Sequence, residues 1–276
     1  MYVEEIENEM KKDFRVNIDL RLSEAYVVGA GDSYASALVA EGETGGRFKA
    51  MDPYEGLSYS LTDKPVVFIS VSGKPVFNVK LAQILKGKTE TFALTSNLGS
   101  KLSSSVDHVI EIPYSSTKSM PGTLSFLMTT YAILKIAGVN PIHENPIVFP
   151  LDNHPFFVGS KGNYGISYYA YLKMSEIFGA YSNAERTEQF CHSPIFSSID
   201  RQIIIFGNSE REKRLKELLG SSAFLTKIHD PLTNALSLIY SILRRMKETG
   251  WDKIFFLDCR KILNVSSAMI YYDTGT

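Results

Sequence analysis

Two side chains stand at a spacing that suits proton transfer. Glu176 lies near the end of a helical run from Tyr164 to Phe178, and His192 follows 16 residues later on a loop. Gly179 can close the helix in the left-handed conformation, and Pro194 blocks a new helix from running through His192. A carboxylate at a helix end and an imidazole on a loop can serve as a base and an acid in proton transfer. The same residues also fit a plainer description, an exposed helix-end acid and a histidine bonded to backbone. Spacing alone favours the plainer one.

A second group could hold an anion. Ser70-Val71-Ser72-Gly73-Lys74 follows an apolar strand and opens a helix at Pro75, whose missing N–H costs nothing in a first turn. Hydroxyls, backbone N–H groups and a positive helix end suit phosphate. A serine-rich turn that merely caps its helix is the competing description, and the two weigh equally on local sequence. Ser33, after the glycine turn Gly29-Ala30-Gly31, falls at the matching end of another strand. In open parallel sheets ligands bind beyond the carboxyl ends of the strands, so both serine groups face the expected side. Gly29-x-Gly31 lacks the third glycine of a dinucleotide fingerprint.

The elements that position these residues read as two α/β halves. Strands are expected at 25–29, 66–70, 91–95 and 109–113, with helices over 34–40, 75–85 and 122–137. After a proline-bearing crossover, Phe156-Phe157-Val158-Gly159-Ser160-Lys161-Gly162-Asn163-Tyr164 aligns without gaps with Tyr26-Val27-Val28-Gly29-Ala30-Gly31-Asp32-Ser33-Tyr34, an offset of 130 residues. Strands at 203–207 and 223–226 and a helix over 232–247 continue the second copy. The polar passage 182–188 reads as a loop, and Lys253 to Asp258 as a last strand. The expected fold class is α/β, with two doubly wound parallel-sheet subdomains related by pseudo-two-fold symmetry. The expected organisation is an N-terminal arm at 1–24, whose first fourteen residues form an amphipathic helix. A phosphate-binding half follows at 25–138, then a crossover at 139–154 and a second half at 155–276. The second half has no Ser-x-Ser-Gly; its loop Gly207-Asn208-Ser209-Glu210 carries an acid that would repel phosphate, so one anion site per chain is expected.

Composition narrows the function. The chain has 276 residues, 44% of them hydrophobic, and a net charge of −1. No basic excess calls for nucleic acid, and no apolar stretch reaches the length of a membrane span. The charged start, Met1 to Lys12, is unlike a signal peptide. Cys191 and Cys259 form neither a disulfide framework nor a metal motif, and the five histidines show no short ligand spacing. These features lead us to expect a cytoplasmic protein with no metal or cofactor.

From about Ala25 to Lys247 the sequence resembles the sugar-isomerase (SIS) family, notably the isomerase part of glucosamine-6-phosphate synthase and the archaeal phosphoglucose/phosphomannose isomerases. Gly31-Asp32-Ser33 resembles the family's Gly-Thr-Ser turn, and Ser70-Val71-Ser72-Gly73 its Ser-x-Ser-Gly-x-Thr phosphate loop. Ser116-Thr117-Lys118 resembles the synthase's Ser-Thr-Lys. Lys173-Met174-Ser175-Glu176 followed by His192-Ser193-Pro194 resembles its Lys-x-x-Glu helix end and His-Gly-Pro loop. Two departures stand out: Ser193 for glycine, and Pro75 for the threonine of the phosphate loop, which removes a hydroxyl and an N–H and leaves Lys74 as the compensating charge.

The resemblance implies a sugar-phosphate aldose–ketose isomerase. Gly31, Ser33, Ser70, Ser72, Gly73, Lys74 and Ser116 would hold the 6-phosphosugar. Glu176 would carry the proton between C2 and C1 through an enediol, and His192 would open the ring. Lys261 has a place similar to the synthase lysine that holds the open sugar as an imine, although the tail from Ile262 does not match. A homodimer is implied, with His192 serving the other chain. A glucosamine-6-phosphate deaminase would use the same groups, and Pro75 keeps a third reading open, a non-catalytic sugar-phosphate sensor. With no glutaminase region, the synthase's glutamine-dependent reaction is not expected. His229 is expected to be a loop histidine paired with Asp230.

Overall fold

Apolar runs bounded by turn residues become strands here, and their burial shows which kind. β3 (Val66–Ile69) and β8 (Ile203–Phe206) are buried along their whole length. A strand covered by helices on both faces of a parallel sheet needs such a continuous apolar run. The computed structural model describes residues 1–142 and 144–272. His143 and the last four positions of the expected second half lie outside the described residues.

Two parallel sheets result. The first joins β1 (Ala25–Val28), β2 (Phe48–Met51), β3, β4 (Thr91–Thr95) and β5 (His108–Glu111) in the order β2-β1-β3-β4-β5. The second joins β6 (Phe156–Gly159), β7 (Asn183–Arg186), β8 and β9 (Ala223–Leu225) in the order β7-β6-β8-β9. Both begin with the same winding: the first strand pairs with the second on one side and the third on the other. Val28 lies level with Met51 and Phe68, and Gly159 with Arg186 and Phe206.

The helices cover these sheets within two compact units. One contains residues 14–139 and 256–276, the other residues 1–13 and 140–255. The first unit holds α2 (Asp32–Glu43), α3 (Val76–Leu85), α4 (Lys101–Ser104), α5 (Leu124–Ile136) and the terminal α11 (Arg260–Tyr271). Its core joins Val66 and Phe68 to Leu81, Leu85 and Leu102. Between α2 and α5, Ser36 Oγ lies 2.8 Å from Thr130 Oγ1, so a small polar cluster sits inside an apolar contact.

The second unit holds α1 (Tyr2–Met10), α6 (Gly162–Lys173), α7 (Thr187–Phe190), α8 (Glu210–Leu219) and α9 (Pro231–Glu248), and the boundary between the units falls within the short α10 (Phe255–Asp258). Its core includes Phe156, Val158, Phe190, Ile205 and Leu215. The crossover segment is bound rather than loose. Backbone N–H groups of Glu144, Ile147 and Phe149 donate to the hydroxyls of Thr233, Ser237 and Ser241 at 3.2, 3.0 and 2.9 Å. Those hydroxyls recur every four residues along one face of α9, one turn apart.

Several expectations change. The passage 182–188 contains β7, and β2 was not expected at all. Both are edge strands, only partly buried and carrying charge, so they lack the alternation that marks a half-buried strand. Lys253 to Asp258 is not a strand: it is a turn followed by α10. Short apolar runs do not distinguish helix from strand, and among the residues of this run only Ile254 is buried. The last segment, from Phe256, groups with the first half of the chain and not with the second.

Candidate active site

Strand order fixes where a ligand crevice can form. In the order 2-1-3-4-5 the connections from the first and third strands leave in opposite directions, and the crevice opens beyond their carboxyl ends. In the first unit that point lies between β1 and β3, where Gly31, Ser33 and Ser70 to Lys74 emerge side by side. Ala30 to Ser33 is a turn with Gly31 at φ 58°, ψ −127°, closed by Ser33 N donating to Ala30 O at 3.2 Å. Those dihedrals belong to the first central position of a type II′ turn, which favours glycine.

The loop after β3 has its hydroxyls turned to its own backbone. Gly73 N donates to Ser70 Oγ at 3.2 Å, and Lys74 N to Ser72 Oγ at 3.4 Å. Each serine keeps its own O–H as a donor for an incoming oxygen. Gly73 has φ 62°, and a Cβ there would overlap the Ser100 side chain, so the backbone approaches α4 as only glycine permits. α3 begins with Pro75 in the cap position, has no acid in its first turn and no side-chain cap. Its positive end is therefore left to Lys74 and the loop.

Three further polar side chains lie in the first unit. Asp32, in the first turn of α2, lies with its carboxylate against Gly122, just ahead of α5; a Cβ on Gly122 would collide with it. Ser116 lies on an exposed loop and donates to Lys118 O at 2.9 Å. Lys261 lies on α11, exposed, in the same compact unit as the serine loop.

The second unit repeats the turn with different chemistry. Lys161 stands at φ 52°, ψ −131°, matching Gly31, and Asn163 N donates to Ser160 O at 3.0 Å. The loop after β8 is filled from within. Ser209 and Glu212 form a reciprocal capping box, and a Cβ on Gly207 would overlap the Glu212 carboxylate. The acid that closes this loop is buried Glu212; Glu210, which was expected to repel phosphate, points into solvent with 91% of its side chain exposed.

Glu176 lies on a π-helical turn, Met174–Phe178, that ends at Gly179 in the left-handed conformation, as expected. Its carboxylate pairs with Lys173, whose side chain is fully buried and whose amine lies 5.2 Å from the centre of the Tyr169 ring. Trp251 Nε1 donates to Ile177 O at 2.9 Å, pinning this turn. The buried ammonium of Lys173 orients that carboxylate, because loss of Glu176 would remove a partner from a buried charge. The Lys-x-x-Glu spacing put both residues on one helix face, but the burial of Lys173 had no sequence signal.

His192 is placed elsewhere on the same unit. α6 starts at the carboxyl end of β6 and runs back for about 18 Å, beyond the roughly 13 Å length of the strand. Glu176 is therefore at the amino end of this sheet. β7 then crosses to the carboxyl end, where α7 and His192 follow. His192 is 68% exposed, with Nε2 3.5 Å from Glu188, which also pairs with Arg211 at 2.7 Å. Within this unit Glu176 and His192 occupy opposite ends of the sheet. Asp230 does not pair with His229. It caps α9, accepting from Thr233 N and Oγ1 at 2.7 Å each, and His229 N donates to Glu144 at 3.2 Å. Among the described residues no cluster of three or more potential metal-ligating side chains occurs, and no helix is long and apolar enough to cross a membrane.

Solved structures share this architecture. Glucosamine-6-phosphate deaminase from Thermotoga maritima superposes with a TM-score of 0.67 at 19% identity, covering 92% of this chain and 93% of its own. A protein described as a phosphosugar isomerase from Silicibacter pomeroyi gives 0.67 at 17% identity, covering 83% and 88%. The C-terminal domain of glucosamine-fructose-6-phosphate aminotransferase from Francisella tularensis gives 0.58 at 15%, covering 88% and 93%. No protein-family model matches the sequence, and no curated protein does. At these identities the likeness establishes the fold, two parallel-sheet α/β units of the kind expected for an SIS protein.

Proposed function

We propose that the chain is a sugar-phosphate aldose–ketose isomerase, acting on a 6-phosphosugar through an enediol. The observation that carries this reading is the Ser70–Lys74 loop at the β1/β3 crevice: two serine hydroxyls, a lysine and a helix start without an acid. The fold is one that phosphosugar enzymes use, which is consistent with it. Ser33, Ser70, Ser72 and Lys74 bind the phosphate, with Gly31 and Gly73 giving the close backbone approach. Ser116 contacts the sugar.

Glu176 carries the proton between C2 and C1, its carboxylate oriented by Lys173. His192 moves the proton between the ring oxygen and the adjacent hydroxyl. Since these two lie at opposite ends of one sheet, His192 serves the sugar bound by a second copy. A deaminase acting on glucosamine 6-phosphate would use the same groups and release ammonia. One observation favours a sensor instead: Pro75 leaves the loop without the family's threonine, so binding could persist without turnover.

The test measures binding and turnover separately. Calorimetry with hexose 6-phosphates should show binding that weakens at least tenfold when Ser70 and Ser72 are both alanine, since each hydrogen bond to a charged group contributes about 1.5–3 kcal/mol. Glu176→Gln should leave that binding intact and lower isomerisation by about 10²–10⁴-fold. Turnover that survives Glu176→Gln within a few-fold removes Glu176 as the base. Binding without turnover in the parent protein establishes the sensor.

A further inference from the structure

The loop after β4 grips the serine loop by successive carbonyls. Val71 O accepts from Ser96 N at 3.1 Å, from Ser96 Oγ at 2.9 Å and from Thr95 Oγ1 at 3.1 Å. Ser72 O accepts from Asn97 Nδ2 at 3.1 Å. Asn97 is itself fixed: its N–H donates to Thr95 Oγ1 at 3.2 Å, and its carbonyl accepts from Ser100 N at 3.1 Å and Ser103 Oγ at 2.9 Å. All these residues belong to the first unit and follow β3 and β4, neighbours in its sheet. The bonds decide where the intervening amide points. In a trans peptide the C=O and the N–H point in opposite directions. With the Val71 carbonyl turned to the loop after β4, Ser72 N–H faces the β1 side, where Ser33 emerges. No atom of the described residues accepts from Ser72 N.

We propose that Asn97 is a positioning residue for the bound anion. By holding Ser72 O, while Thr95 and Ser96 hold Val71 O, it keeps Ser72 N–H aimed into the crevice beside the Ser70 and Ser72 hydroxyls. The inference rests on the reading of Ser70 to Lys74 as the phosphate loop. Asn97 touches no phosphate oxygen; it acts through Ser72. The loop needs such a brace, because Gly73 at φ 62° is conformationally permissive and α3 has no side-chain cap to fix its start. A donor held in place before the ligand arrives loses little freedom on binding, so the brace raises affinity without a contact of its own. An amide suits the task. It donates to a carbonyl and stays uncharged beside an anion, where an ionised aspartate would lack the donor and repel the ligand. A phosphate remote from the reacting carbons is held equally before and during reaction, so the brace acts on KM and leaves kcat alone.

Calorimetric titration of the full chain with inorganic phosphate and with hexose 6-phosphates tests this. Asn97→Ala should weaken both by the same factor, about tenfold, as loss of one hydrogen bond to a charged group would. For any hexose 6-phosphate that the parent turns over, KM should rise in proportion and kcat stay within about threefold. A second pair of variants separates hydrogen bonding from packing without relying on that one. Thr95→Val keeps the shape and loses the hydroxyl that serves both Val71 O and Asn97 N, so phosphate binding should weaken about fivefold. Thr95→Ser keeps the hydroxyl and should stay within about twofold of the parent. Phosphate binding within about twofold of the parent in both Asn97→Ala and Thr95→Val overturns the proposal and leaves the serine loop as the phosphate site. Thr95→Ser as weak as Thr95→Val overturns it too, since packing then sets the affinity. A parent protein that binds neither phosphate nor a hexose 6-phosphate overturns the phosphate-loop reading and this inference with it.

Discussion

The turn at Lys161 should be a site of removable strain. Lysine there holds φ 52°, ψ −131°, the conformation that Gly31 takes at the matching position of the first unit. A non-glycine residue in such a region costs about 1–3 kcal/mol. Glycine would remove that cost and add about 0.5–1 kcal/mol of chain entropy lost on folding. Lys161→Gly should therefore stabilise the second unit by about 1 kcal/mol, a rise in melting temperature of about 3 °C for a unit of this size. The reciprocal change isolates the cause. A Cβ on Gly31 would meet no atom within 4 Å, so Gly31→Ala pays only the backbone term. It should destabilise the first unit by about 1–2 kcal/mol. Differential scanning calorimetry and urea titration on both variants measure the pair. If Lys161→Gly lowers the stability of the second unit, its lysine contributes more than its backbone costs, and the strain argument fails.

Other outcomes follow from contacts already described. Gly73→Ala should abolish anion binding and lower stability, since φ 62° and the Ser100 side chain both oppose a methyl group; calorimetric titration with inorganic phosphate and a melting curve check it. Ser241→Ala leaves the buried N–H of Phe149 without its acceptor and should cost about 1–3 kcal/mol, read from urea midpoints. Asp107, ahead of β5, accepts bonds from the Thr91 hydroxyl and N–H at 2.6 and 2.9 Å, which hold its carboxyl below the ordinary carboxylate range. A depressed native pKa gives stability that is present above the unfolded value and lost as pH falls through the native one. Asp107→Asn should therefore be less stable than the parent at pH 7, with the gap narrowing as the pH falls below about 4.

The central strands and long helices were legible because their apolar runs are long and their turns carry glycine. The repeated turn was legible too, although the sequence did not show that Lys161 takes a glycine's conformation. Edge strands β2 and β7 were not, because solvent on one side permits Lys49, Glu185 and Arg186 where a central strand demands apolar residues. At the candidate site, the glycine and serine positions follow from local chemistry. The buried charge of Lys173, the closure of the second crevice by Glu212 and the placing of Asp32 against Gly122 depend on neighbours distant in sequence or on burial. The π turn beneath Glu176 also escaped notice, since its composition is that of an ordinary helix end.

The grouping of the chain's ends has a consequence for synthesis on the ribosome. α1 leaves the exit tunnel ahead of both sheets, yet it packs with α9, whose last residue is Glu248. At about 5–20 residues per second, roughly 12–50 s pass before that partner is made. The first sheet can pair as soon as β5 emerges, but its unit gains α11 only after the whole second sheet has been made. A nascent chain stalled near Val139 therefore carries an unmatched helix at its start and lacks the one that its sheet will later receive. Contiguous fragments cut at that point inherit the same mismatch: each keeps an end segment that belongs to the other unit.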